Sequence, residues 1–260
     1  MKKTLLTSAP DFPSELAEFT ENAKIYDSSC SPEARVYFID KDEGYYLKRA
    51  KKGSLCREAA MTKYFHTKNL ATEVTRYLTF DSDWMLTRAV RGEDCCSKLY
   101  TDDPKRLCDT LATLLRQLHE NDTPGCPVSD HTSIYFDTVK LNYQKGAFDT
   151  DFLPPGYEKL SSDEAYATIV QAKSLFKTDV LLHGDYCLPN VMLDNWRFSA
   201  FIDLDHAGIG DRHVDLFWGA WTLNFNLHTD RFRERFLDAY GRDRIDRDIL
   251  DITAIAECFG

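Results

Sequence analysis

The stretch 181-LLHGDYCLPNVMLDNWRFSAFIDLDHAG-208 sets Asp185, Asn190, Asp203 and Asp205 among apolar runs that read as strands. Carboxylates are seldom placed in a core unless they are paired or bound to a cation. Asn190 follows Asp185 by five residues, and Asp203 follows Asn190 by thirteen. The segment between them, VMLDNWRFSAFI, reads as two short strands meeting at Asn195 and Trp196. Such a hairpin returns Asp203 beside Asn190. The pattern suits a site that holds a metal ion and a phosphate.

The chemistry explains the residue types. A hydroxyl that attacks phosphorus must be oriented, and its proton accepted, by a carboxylate. A cation bridging phosphates is hard and takes oxygen ligands, here a neutral one from Asn190 and a charged one from Asp203. Protein kinases use the same offset between the Asp and Asn of their catalytic loop, with a metal-binding Asp beyond the next strands. His-Gly-Asp alone is a common tripeptide; the triplet, the Asn and the second Asp together point to phosphoryl transfer. Such an enzyme also needs a cation on the phosphates. Lys48, in the strand-like GYYLKRA of residues 44–50, lies where kinases carry theirs. Glu58, ten residues on in a predicted helix, is its expected partner, and Glu73 is the alternative. Taken singly, Lys48 among Arg49, Lys51 and Lys52 would read as a solvated surface lysine.

Working outward, ARVYFID (34–40) and GYYLKRA read as strands around a turn. GSLCREAAMTKYFHTK (53–68) reads as a helix capped by Ser54, and EVTRYLTF and DWMLTRAV as two further strands. After RAVRG (88–92) helices dominate. DDPKRLCDTLATLLRQLHEN has Asp103 as cap, Pro104 at the first helical position and a leucine stripe at helical spacing. Residues 121–160, rich in Pro and Gly, read as irregular. A helix over 162–176 follows, then short strands at 179–183, 191–194 and 198–203. Helices over 211–227, 230–240 and 246–258 complete the chain, the last two separated by Gly241. These elements predict an α+β chain with a small β-rich lobe over 1–87, a connector over 88–92 and a larger, mainly helical lobe over 93–260.

Composition narrows the function. The chain of 260 residues is 43% hydrophobic, enough for a core, and no apolar run approaches the ~20 residues of a membrane span. The opening MKKTLLTSAPDF has too short an apolar part for a signal peptide, which predicts a cytoplasmic protein. The eight cysteines form no CxxC pair, a pattern of buried thiols rather than of zinc ribbons or disulfide frameworks. A net charge of −10 argues against nucleic acid or an anionic membrane as the main partner and suits a cationic substrate. Nothing in the sequence fixes the oligomeric state.

HGDYCLPNVMLDNWRFSAFIDLDHAGIGDRHVDL resembles the aminoglycoside phosphotransferases, in particular their 3′-phosphotransferase branch. SPEARVYFI and YYLKRA resemble the N-terminal lobe of that family, and AECFG its C-terminus; the likeness is weakest between 127 and 178. The resemblance implies a two-lobed, protein-kinase-like fold. It also implies transfer of the γ-phosphate of a nucleoside triphosphate, ATP with GTP as the alternative, to an antibiotic hydroxyl, conferring resistance. By motif match Asp185 would be the catalytic base, Asn190 and Asp203 the Mg²⁺ ligands, and Lys48 the phosphate-holding cation oriented by Glu58. Ser31 would contact phosphate, Tyr46 would stack on adenine, and Thr87 and Ala89 would read its edge. His183 would serve structure, bonding backbone near the loop. Leu204-Asp205-His206 departs from the family pattern and adds a carboxylate, so Asp205 and His206 become substrate-side candidates. So do Glu257, the carboxylate of Gly260, and, by position, Asp130, Asp149, Asp151 and Glu158. Some relatives carry charged residues where this chain has Trp221 and Phe225.

Rival readings remain at this stage. A kinase of another small hydroxylated compound, such as choline, a sugar, a macrolide or a metabolite, would keep the same machinery. A metal-dependent hydrolase could use His183, Asp185, Asp203, Asp205, His206 and His213. A non-catalytic, kinase-like binding protein is the third.

Overall fold

Tyr45 and Leu47 alternate with Tyr46 and Lys48 along one strand, and successive side chains of a strand point to opposite faces. In the computed structural model, which describes residues 3–8, 10–30 and 32–260, this alternation decides which face carries chemistry. Tyr45 and Leu47 are buried with Leu16, Phe19, Ile25, Tyr37, Ile39, Trp84 and Leu86. Tyr46 and Lys48 take the other face and stay partly exposed. Each fully buried Leu, Ile or Phe side chain contributes about 1.5–3 kcal/mol, so the apolar face anchors the strand.

The chain divides into two compact units. The first comprises residues 1–94 with 190–205. It contains strands β1 (Thr4–Leu5), β2 (Lys24–Asp27), β3 (Ala34–Asp40), β4 (Tyr45–Lys51), β5 (Val74–Thr79), β6 (Ser82–Arg88) and β7 (Glu93–Asp94), and helices α1 (Ala17–Thr20) and α2 (Cys56–Thr67). Strands β1 to β6 form an antiparallel sheet in the order β1-β2-β3-β4-β6-β5, with Lys48 opposite Val36 on β3 and Met85 on β6. Helix α2 lies against it through Leu55, Ala59 and Met85. Ser54 does not cap this helix as expected, because its hydroxyl donates to Lys51 O at 2.6 Å. The buried carboxylate of Asp83 takes the Leu55 N–H instead, at 3.0 Å, and also accepts from Tyr77 Oη at 2.9 Å. A cap supplied from a neighbouring strand leaves no local sequence signature.

Residues 190–205 add the expected hairpin, β9 (Val191–Asp194) and β10 (Arg197–Phe201), which pairs with β7. It is numbered after β8 of the second unit. Asn195 and Trp196 have φ of 49° and 69°, and positive φ at both central residues defines the tight type I′ turn. Val191 pairs with Phe201, so Asn190 and Asp203 lie just beyond the same end of the ladder. The Phe201 N–H donates to Leu70 O at 2.8 Å and secures the hairpin behind α2. At Gly92, φ is +94° and an added Cβ would lie 2.0 Å from Leu193 O, so only glycine passes β9 there.

The second unit comprises residues 95–189 and 206–260. It holds α3 (Lys98–Thr101), α4 (Pro104–His119), α5 (His131–Gln144), α6 (Ser162–Ala172), α7 (His213–Leu227), α8 (Arg233–Tyr240) and α9 (Arg247–Glu257), with β8 (Val180–Leu182) pairing antiparallel with β11 (Gly208–Gly210). On α4, Asp103 accepts the Arg106 N–H at 3.2 Å, Pro104 opens the helix and the leucine stripe is buried. Helix α5 corrects the reading of 121–160 as irregular. Only His131, Phe136 and Val139 of it are buried, while Ile134 and Leu141 are exposed, so its apolar residues do not trace one clear face. Its cap, Asp130, accepts from Ser133 N at 3.0 Å.

The pivot of this unit is Asp215 on α7, with no exposure to solvent. It accepts N–H groups from His183 at 2.8 Å and Gly184 at 2.7 Å, and the His119 Nε2–H at 3.1 Å. Although burial opposes its charge, these donors hold its carboxyl below the usual carboxylate range. Burial lowers His119, whose Nδ1 accepts from Tyr240 Oη at 2.8 Å, so it donates as a neutral ring. Asp215→Ala should lower unfolding free energy by about 3–5 kcal/mol, measured by urea denaturation. A loss under about 1 kcal/mol, the value of a surface pair, would mean that the carboxylate does not hold the loop. Because its pKa is depressed, its contribution is present above the ordinary carboxylate range and is lost as pH falls below it.

Candidate active site

Lys48 is not the solvated lysine that its neighbours suggest. Its Nζ lies 2.8 Å from Glu58 Oε2 and 2.9 Å from Asp203 Oδ1. Glu58 projects from the first turn of α2 and is buried. Asp203 follows β10 with φ +59°, a left-handed conformation that Asp tolerates better than most residues, and half of its side chain (51%) meets solvent. Burial alone would depress the Lys48 pKa; the two carboxylates outweigh it and raise the group above the ordinary lysine value. Burial pushes Glu58 up to about 7 against the pull of Lys48, with Asp203 and then Asp205 adding to the rise. Glu73 is engaged elsewhere, accepting from Arg88 Nε at 2.9 Å. Of the two possible partners, the structure brings Glu58 to Lys48.

Asn190 is buried at the end of the turn Leu188–Asn190, and its carbonyl accepts the Ile202 N–H at 3.0 Å, one residue before Asp203. Tyr46 shares the Lys48 face of β4 and packs on Phe38, with ring centroids 5.2 Å apart. Thr87 lies opposite Tyr46 on β6 and donates to its carbonyl at 3.4 Å. The Ala89 N–H is taken by Gly44 O at 3.0 Å. Ser31 falls outside the described residues.

Asp185 belongs to the second unit. It is half-buried, and its backbone N–H is oriented by His183 Nδ1 at 3.3 Å, the structural part expected of that histidine. Gly184 just before it has φ +82°, and an added Cβ would lie 2.0 Å from the His206 carbonyl oxygen. Both facts demand glycine. Below the loop, Tyr186 Oη donates to Leu111 O at 2.8 Å and the Leu188 N–H to Thr222 Oγ1 at 3.1 Å. Cys187 donates its N–H to Asp185 O at 2.8 Å, and burial raises its thiol pKa, as does the Asp185 carboxylate beside it.

Of the substrate-side candidates, Glu257 has the most distinctive setting. It is buried on α9 and accepts from Tyr135 Oη at 2.8 Å, and the Trp218 indole favours its charged form. Burial raises it to about 7, opposed by Tyr135 and reinforced by Asp185. Asp149 is exposed and caps the turn Thr150–Phe152, accepting from Asp151 N at 2.9 Å, while its own N–H ties to Cys258 O at 2.7 Å. Asp151 and Glu158 are exposed, and Glu158 is occupied with Gly156 N at 2.9 Å. Asp205 is half-buried in the first unit. His206 is exposed in the second, where its carbonyl faces Gly184. Gly260 is exposed and donates its N–H to Glu257 O at 2.9 Å.

Sequence reasoning did not find the groups that hold Glu257. Tyr135 lies in the unforeseen helix α5, and Trp218 is one of several aromatic residues on α7. The available signal, for Trp218 alone, was the three- and four-residue spacing of Trp218, Trp221 and Phe225, which marks one helix face.

Comparison with known proteins gives the family and the fold. Residues 32–251 match the family model APH, the phosphotransferase enzyme family. A probable aminoglycoside 3′-phosphotransferase of Lactococcus lactis is 51% identical over 259 residues, covering 99% of this chain and 98% of that protein. Among solved structures, an aminoglycoside-3′-phosphotransferase of type VIII superposes with a TM-score of 0.78 at 21% identity, covering 95% of this chain and 97% of the other. A Streptomyces rimosus aminoglycoside phosphotransferase in complex with ADP and streptomycin gives 0.70 at 21% identity, over 86% and 90%. These structures establish the fold as the α+β, kinase-like one expected. The chain belongs to the APH phosphotransferase enzyme family.

Proposed function

We propose that this protein transfers the γ-phosphate of ATP to the 3′-hydroxyl of an aminoglycoside in a Mg²⁺-dependent reaction, and so confers resistance in the cytoplasm. The observation that carries the reading is the ammonium of Lys48 fixed between Glu58 and Asp203, at 2.8 and 2.9 Å. A strand lysine held by a helix glutamate is the phosphate-binding device of kinases. In this reading residues 1–87 bind the nucleotide, 88–92 connect, and 93–260 carry the base and the acceptor residues. The stretch 190–205 groups with the first unit, however.

Lys48 takes the α- and β-phosphates, and Glu58 keeps its ammonium from swinging into solvent. Tyr46, Thr87 and Ala89 line the base, with Ser31 on the phosphates; GTP is the alternative donor. Asn190 and Asp203 fit Mg²⁺, being a hard amide oxygen and a hard carboxylate set just past one end of a two-residue hairpin. When bound there, Mg²⁺ supplies charge neutralisation to the phosphate oxygens. Asp185 orients the acceptor hydroxyl and accepts its proton; the backbone bonds of Gly184 and His183 to Asp215 keep this loop in place. Glu257, Asp149, Asp151, Glu158, Asp205, His206 and the Gly260 carboxylate form the polar surroundings of the acceptor, the carboxylates matching its ammonium groups. Eight free cysteines suit a reducing compartment, and among the described residues no helix is long and apolar enough to cross a membrane.

Among the rivals, the hydrolase draws least support. His213 Nδ1 is bonded to Asp211 at 2.6 Å and its Nε2 receives the Asp246 N–H at 2.9 Å, so both ring nitrogens serve the fold. A kinase of another hydroxylated cation, such as choline, is favoured by the exposed ring of Phe225 stacked on Trp221.

The deciding experiment is ATP consumption by the purified protein with kanamycin or neomycin, with and without Mg²⁺. ATP use driven only by choline, or phosphoester cleavage without nucleotide, would overturn the proposal. Asp185→Asn should lower kcat by about 10²–10⁴-fold with ATP affinity retained, as read by isothermal titration. Glu257 is neutral below about 7 and anionic above it. The acceptor KM should therefore fall as pH rises through that value, and Glu257→Gln should flatten this arm of the profile. An unchanged profile in the variant would remove Glu257 from acceptor binding.

A further inference from the structure

We infer that Trp221 and Phe225 on α7 form an aromatic platform that takes the flat face of an amino-sugar or aminocyclitol ring of the acceptor. The inference rests on the acceptor reading above and adds the residues that grip the ring. Phe225 and Trp221 stack with centroids 4.9 Å apart and planes 15° from parallel. Phe225 is nonetheless 62% exposed, the highest exposure among the large apolar side chains described. A single exposed apolar residue is ordinary. This one ends a run of rings: Trp221 meets Trp218 at 5.3 Å and 81°, and Phe152 packs within 6 Å of both tryptophans.

The run leads to the reacting groups of the same unit. The Trp218 indole favours the charged form of Glu257, which burial and Asp185 oppose. Phe152 closes the turn that carries the exposed Asp149 and Asp151. The rings and these exposed carboxylates therefore adjoin through Phe152, which packs on both tryptophans. That junction matches a saturated ring with ammonium substituents. The ring's C–H face lies on the π surface, an ammonium gains a cation–π contact, and other ammonium groups meet carboxylates. A purely apolar ligand would leave the carboxylates unmatched, and a compact metal ion would leave the rings unused.

The test is a titration of kanamycin and neomycin, without nucleotide, into wild type, Phe225→Ala and Phe225→Tyr, following intrinsic tryptophan fluorescence. Wild type should respond saturably. Phe225→Ala should weaken binding about 5-fold or more, and Phe225→Tyr should restore it. An exposed ring is dispensable for folding, so the melting temperatures should agree. In turnover assays the acceptor KM should rise in parallel, with kcat and the ATP KM unchanged. A wild-type response that Phe225→Ala leaves intact would overturn the platform while leaving phosphoryl transfer standing. Absence of any response at millimolar antibiotic would also overturn it, as would saturation by choline alone. Ring-dependent binding without turnover would keep the platform and sink the proposed reaction.

Discussion

One ionised carboxylate, Asp215, sealed from water, holds the loop that carries Asp185. Its two oxygens collect the backbone N–H groups of His183 and Gly184 and the ring N–H of His119. Removing such a charge from water costs several kcal/mol, and the donors must offset it in full. The arrangement is therefore intolerant: the loop has one geometry in which all three donors are satisfied. Leu111 on α4, which accepts from Tyr186 Oη, and Thr222 on α7 fix the other side of the same loop. Asp185 inherits its position from these bonds rather than from its own side chain.

The first unit solves the opposite problem. Its charged cluster stays open: Lys48 is only part-buried and Asp203 reaches solvent, as the ligand role proposed for them requires. Replacing part-buried ion pairs by apolar residues often costs nothing in stability. The Lys48 group is thus better explained by the phosphate-binding role proposed for it than by what it stabilises. The two charge clusters differ as their roles do, one closed and fully satisfied, the other open on one side.

How much of this was legible in the sequence depends on where the causes lie. The hairpin over 191–201, with its turn at Asn195 and Trp196, was readable because its signals are local and of period two. So were the Asp103 and Pro104 start of α4 and the Lys48–Glu58 pair. Helix α5 was hidden because its buried residues are few and its exposed apolar residues blur the stripe. The Asp83 cap of α2 was hidden because its donor and acceptor are 28 residues apart. Tyr135 and Trp218 around Glu257 were hidden for the same reason, being 122 residues from it in the first case. Motif spacing found the charged groups; the residues that hold them in place required the fold.

The close approach of Gly184 to the carbonyl of His206 separates what must be kept from what may drift. The approach involves only the carbonyl and Cβ at position 206, while the residue is otherwise exposed to solvent. Position 184 therefore admits no side chain, whereas position 206 can change its side chain at little cost to the loop beside it. If acceptor choice lies here as proposed, it has a side chain free to change beside a backbone that is not.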